Sequence, residues 1–327
     1  MYPFPIKKII ESFGQLKIAV IGDIMLDKYI FGHVSRISPE YPVPVVDVTH
    51  EDRRLGGAAN VARNTLSLGA ETFLIGVTGE DSDRDSLSEL FAIQGLSADY
   101  LVSDASRPTT CKTRILSQNH HITRVDFESR KPVSETIERN IAGKLRDLAP
   151  SLNAVIIEDY NKGLLTSTLI RKIIGIAEDN DLPVLVDPKQ KEFFSYCGCT
   201  VFKPNLSEMA SSLGIVAHNT DSEVEAACLQ LQEKIAAESL VVTRSEKGIT
   251  VLSDGFTHIP AASLDVADVS GAGDTVIGVL ALGTAAGLDI VTSAKIANLA
   301  AGTVCQEVGA VPVRTERLVR ACLEQLT

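Results

Sequence analysis

The chain has 327 residues, 45% of them hydrophobic, enough for one large α/β core with or without a small insertion. Lysine and arginine number 31 against 42 aspartates and glutamates, and the resulting net charge of −11 argues against nucleic acid or an anionic membrane as main partner. No basic head with an apolar run opens the sequence, and no apolar stretch reaches the roughly 18 residues of a membrane span, so a cytoplasmic protein without a membrane partner is expected.

Lys17-Ile-Ala-Val-Ile-Gly22 is a short β-rich apolar run, the pattern of a buried parallel strand opening onto a ligand crevice. Asp23 and Asp27 follow at its mouth, where carboxylates accept sugar hydroxyls or serve as turn and capping residues. From Tyr29 to Leu55 prolines and short alternating β-branched runs predict edge strands outside the main sheet. Thr109–Ser117 and His121–Phe127, around Gln118-Asn119-His120, read as a hairpin. Together these segments, near 29–55 and 107–128, predict a small β lid on one domain spanning 1–327.

Between them Gly56-Gly57-Ala58-Ala59-Asn60 opens an amphipathic helix that Gly69 closes. Small residues there admit either a ligand or a packed helix, and Asn60 offers both a donor and an acceptor. Further strands are expected at Thr72–Val77, Ala154–Ile157, Pro183–Asp187, Cys199–Phe202 and Ser239–Thr243, several ending in polar residues. Cys197-Gly-Cys199 lacks zinc-ribbon or redox spacing, so the six cysteines read as incidental thiols without a disulfide framework.

The most informative stretch runs from Asp265 to Gly283, a polar glycine turn leading into an apolar helix. Backbone N–H groups of Gly271, Ala272 and Gly273 at a helix start would cradle an anion, with Asp274 beside them as a base for a hydroxyl proton. The competing reading is a loop with a capping aspartate before a core helix. Val276 stands where a dinucleotide fingerprint needs its third glycine, and no P-loop motif occurs.

With Gly56–Asn60, Asp268-Val-Ser-Gly-Ala-Gly-Asp274, Lys203-Pro-Asn205-x-x-Glu208 and Thr243–Gly248 in this order, the chain resembles the ribokinase-like (PfkB) family of carbohydrate kinases over nearly its whole length. The resemblance implies an α/β fold with a central, mostly parallel sheet, helices on both faces and a small β lid. It implies Asp274 as catalytic base and Gly271 to Gly273 as anion hole. It further implies ATP and Mg²⁺ as cofactors: Asn205 and Glu208 orient the metal, Glu208 through water, and Thr243, Arg244, Gly248 and Asn298 line the nucleotide site.

Gly22–Asp27, Ser35–Glu40, Asp159-Tyr-Asn-Lys-Gly163 and Asp187-Pro-Lys189 are more similar to the branch of that family acting on heptose 7-phosphate. That likeness implies phosphorylation of the anomeric hydroxyl. Asp23, Asp27, Gly56, Gly57, Asn60 and Asp159 are then expected around the sugar, and Lys112, Arg114, Arg124, Lys162 and Lys189 around its phosphate. Glu158 and Asn161, flanking Asp159, depart from the smaller residues of that pattern. A homodimer paired through the lid is expected, and with no H-x-G-H motif present a separate adenylyltransferase is expected as well.

Overall fold

The computed structural model describes residues 6–117, 120–262 and 266–326. The turn read at Gln118-Asn119 and Asp265 at the head of the glycine stretch lie outside the described residues.

Lys17–Gly22 is apolar on both faces because it is central: Ala154–Glu158 and Glu71–Thr78 flank it, both parallel, with Val20 opposite Ile156 and Leu74. Val184–Asp187, Val201–Phe202 and Ser239–Thr243 continue the parallel array on one side, and Leu101–Ser103 ends it on the other. An antiparallel pair, Ile249–Leu252 and Phe256–Ile259, finishes the far edge, giving nine strands among the described residues.

Alternation along these strands sends side chains into two cores. Ile18, Val20, Ile156, Leu185 and Val241 pack under helices Ala58–Ser67, Ala272–Ala285 and Ile290–Val304. Ala19, Ile21, Val155, Ile157, Val186 and Val242 pack on the opposite face, under Glu135–Leu148, Ser167–Glu178 and Asp221–Ile235. Helix Ala272–Ala285 is apolar all round and buried from Asp274 to Gly283, as expected of a helix enclosed by protein. Among the described residues no helix is long and apolar enough to cross a membrane.

A second sheet stands apart, in the order Pro44–Gly57, Ile24–Ile37, Cys111–Ser117, His120–Phe127. The strand expected to start near Tyr29 begins at Ile24, so Asp27 lies within this sheet, not at the mouth of the main one. Its register sets Asp27, Lys112 and Asp126 in one row and Tyr29, Arg114 and Arg124 in the next, on one face, because directly opposed residues share a side.

Candidate functional site

At the carboxyl edge of the main sheet, Gly22 lies opposite Glu158, and Glu158 opposite Asp187. Lys203 follows Phe202, which pairs with Val186. By strand parity Glu158, Asp187 and Lys203 all point toward helix Ala272–Ala285. Lys203 Nζ donates to Asp187 Oδ2 at 2.7 Å with its side chain only 3% exposed. Burial alone lowers a lysine pKa, yet Asp187 and Glu158 outweigh it and hold Lys203 charged. The Glu158 carboxyl is pushed far up by burial and then by Asp187 and Asp274, and its Oε2 is buried without a hydrogen-bond partner.

Asp274 occupies the first turn of its helix, behind the N-cap Gly271. Gly271 has φ of +77°, and a Cβ there would come within 2.9 Å of Asn60 Nδ2, so a side chain is excluded on both backbone and steric grounds. Asp268 shapes the approach: Oδ1 accepts from the Ser270 amide (2.9 Å) and hydroxyl (2.7 Å), and Oδ2 from the Gly309 amide (2.8 Å). Asp274 Oδ2 accepts from Asn60 Nδ2 at 2.5 Å and Oδ1 from the Tyr160 hydroxyl at 2.9 Å. Burial first, with Asp187 adding to it, raises the Asp274 pKa, while Asn60, Tyr160 and Lys203 restrain the rise. Asn60 is itself aimed by Arg63, whose Nη2 donates to Asn60 Oδ1 (2.6 Å) and to the Ala310 carbonyl (2.8 Å). Gly273 adjoins the ion pair: a Cβ there would sit 3.8 Å from Lys203 Nζ and 3.9 Å from Asp187 Oδ2.

On the other side of Asp274, Asp23 Oδ2 accepts from the Tyr160 and Lys162 amides at 2.8 and 2.9 Å. Its Oδ1 is buried and unpartnered, an acceptor suited to a hydroxyl. Gly57 has φ of +57°, and a Cβ there would lie 2.4 Å from the Asp23 carbonyl; one at Gly56 would lie 2.6 Å from Asp27 Oδ2. Asp27 binds Arg114 at 2.6 Å, and Lys162 binds Glu128 at 2.5 Å. The ammonium groups of Lys112 and Lys189 sit 5.3 and 5.1 Å from the Tyr160 ring centroid. Lys189 is also paired with Glu208. Among the described residues Lys112 forms no ion pair.

Asn205 and Glu208 form a capping box on helix Leu206–Leu213, with Asn205 Oδ1 accepting from the Glu208 amide (2.8 Å) and Glu208 Oε2 from the Asn205 amide (2.9 Å). Among the described residues no three Asp, Glu, His or Cys side chains stand together as a metal site, and Glu208, with both oxygens engaged by protein donors, fits a hydrated Mg²⁺ met through water. Thr243 ends its strand in a bridge to Asn205, Gly248 turns the chain with φ of +83°, and Asn298 donates to the Pro260 carbonyl at 2.8 Å.

Three of the sequence candidates are committed to other partners. Asp159 points to the opposite core, as Ile157 does; it accepts from the Tyr196 hydroxyl (2.8 Å), and burial with nearby Asp23 raises its pKa to about 6. Arg244 is buried and spends its donors on Asn219 (2.9 Å), Asp221 (2.7 Å) and Thr250 (2.9 Å), bracing the Ser245–Lys247 turn. Arg124 is exposed and forks onto Asp126 at 2.9 and 3.0 Å. Sequence reasoning quotes Lys203, Asp187, Tyr160 and Glu158 without giving them a site role and does not single out Arg63, although strand-end position and parity mark Glu158, Asp187 and Lys203.

The pfkB family carbohydrate kinase profile matches residues 15–316. The bifunctional protein HldE of Pelobacter propionicus is 40% identical over 321 residues, covering 96% of this chain and 66% of that protein. HldE of Methylobacillus flagellatus is 43% identical over 306 residues, covering 92% of this chain and 62% of that protein. The chain thus spans a little under two thirds of the length of these curated relatives. Among solved structures, Escherichia coli phosphofructokinase-2 in complex with potassium superposes with a TM-score of 0.78 at 14% identity, covering 95% of this chain and 99% of that one. Arabidopsis thaliana ribokinase complexed with ribose and ATP gives 0.75 at 16% identity, covering 94% and 98%. These likenesses fix a ribokinase-like α/β fold, and the chain belongs to the pfkB family of carbohydrate kinases.

Proposed function

We propose that the chain transfers the γ-phosphoryl group of ATP to the anomeric hydroxyl of a heptose 7-phosphate, in the cytoplasm. The observation that carries the reading is Asp274: a buried carboxylate with raised pKa at the start of a helix, next to the Gly271–Gly273 amides and fixed by two donors. Asp274 takes the hydroxyl proton, and the Gly271 and Gly273 amides with Lys203 meet the charge on the transferring group, the Ala272 amide being turned back on the Val269 carbonyl at 3.2 Å. Asp23 and Asn60 hold the sugar. Mg²⁺, which Glu208 would hold through water, would supply charge neutralisation at the phosphates.

The four-stranded sheet acts as a lid that excludes water, and its charged face presents Lys112 and Arg114 to the acceptor's own phosphate. Lys112 has the stronger claim of the candidate lysines, because Lys189 and Lys162 already have carboxylate partners. Exposed Ile37, Val48 and Phe127 on the lid strands support a homodimer joined there. The test is coupled ADP release with heptose 7-phosphate beside ribose, fructose 6-phosphate and adenosine. A preference for any of the other three overturns the acceptor assignment, and no sugar-dependent turnover overturns the kinase reading.

A further inference from the structure

Tyr160 touches the acceptor side of the site and the base together. Its amide fixes Asp23 and its hydroxyl donates to Asp274 Oδ1. Its ring lies beneath the ammonium groups of Lys112 and Lys189. Burial and then Asp274 raise the phenol pKa well above its ordinary value, so the hydroxyl stays a neutral donor. A phenol rotates about few bonds, so where the ring is held the hydroxyl is held too. Of these four groups, Asp23, Lys112 and Lys189 are assigned to the acceptor above, and the fourth is the base.

We propose that Tyr160 is a positioning residue that ties the acceptor's phosphate to the base: ammonium groups drawn to that phosphate reset the ring, and through it the Asp274 carboxylate. The inference rests on the kinase reading above. It makes the phosphate matter for turnover as well as for binding. The charged and titratable groups around Asp274 are Arg63 on the helix beside it, and Glu158, Asp187 and Lys203 at the sheet edge. Of the neighbours that act on Asp274, only Asn60 and Tyr160 are hydrogen-bonded to it among the described residues. Removing the phenol hydroxyl leaves all the charges in place and takes one donor from the ionised carboxylate.

The test is steady-state kinetics of the full chain and Tyr160→Phe across about pH 5 to 9, using the best acceptor of the panel and its phosphate-free counterpart. The variant keeps the ring. Its acid limb of kcat is expected to move up by about one pH unit, because a donor to the ionised form is lost, and kcat near neutrality to fall about tenfold. The phosphorylated acceptor keeps its KM advantage and loses most of its kcat advantage. An acid limb that stays in place, or a kcat advantage that survives, overturns the proposal. So does a wild-type protein whose kcat gains nothing from the acceptor's phosphate. If Tyr160→Phe does not fold, Lys112→Met is read the same way: survival of the kcat advantage refutes the link. A wild-type preference for a different sugar phosphate refutes only the heptose assignment, and the comparison is then made on that sugar.

Discussion

Replacing Asp274 by asparagine separates what the carboxylate does for chemistry from what it costs the fold. Both of its oxygens accept hydrogen bonds, from Asn60 Nδ2 at 2.5 Å and from the Tyr160 hydroxyl at 2.9 Å. An asparagine offers one oxygen, so its NH₂ must face one of those donors. That loss costs about 1–3 kcal/mol. Against it stands the removal of a buried charge, because burial and Asp187 raise the Asp274 pKa above its unfolded value. The sign follows: below about pH 4 the group is protonated in both states. As pH rises through the window between unfolded and folded pKa, the unfolded chain ionises first and wild-type stability falls. The stability of Asp274→Asn relative to wild type is therefore lowest in acid and improves with rising pH. Turnover should drop by about 10² or more, with KM for ATP and sugar nearly unchanged. Urea melts at several pH values and initial rates at saturation read both. Near-normal turnover would refute the assignment of the base; a stability difference that worsens with pH would refute the buried-charge argument.

Lys203→Met leaves Asp187 buried beside Glu158 without its cation, and should lower stability by about 3–5 kcal/mol in urea melts at neutral pH; an unchanged midpoint removes the claim that this pair matters. Lys189→Ala should raise KM for the acceptor at least about tenfold with little change for ATP, an outcome that requires its ammonium to leave Glu208 for the acceptor's phosphate. If ATP affinity falls instead, Lys189 belongs to the nucleotide side. Light scattering should give a dimer at micromolar concentration, and Phe127→Asp should shift it toward monomer; a wild-type monomer ends the lid-pairing idea.

The parts legible in the sequence were those whose signal is local. Apolar runs ending in polar residues give the parallel strands, and Gly271-Ala-Gly-Asp274 gives a helix start with a carboxylate behind it, because glycine takes the φ of +77° found there at least cost. What local signals do not carry is which neighbour a side chain faces across the fold. The motif places Asp159 at the sugar, yet strand parity continues past Ile157 and turns it into the other core against Tyr196, while Glu158 and Tyr160 face Asp274. Arg244, expected at the nucleotide site from its motif, gives its donors to Asn219 and Asp221, more than 20 positions away. The short strand Leu101–Ser103 and the hairpin Ile249–Ile259 had too few residues to declare a period. An alternation rule applied one or two residues beyond each strand end would have exchanged Asp159 for Tyr160. In a parallel sheet that small extension matters, because the chemistry stands on the first residues after the ladder stops.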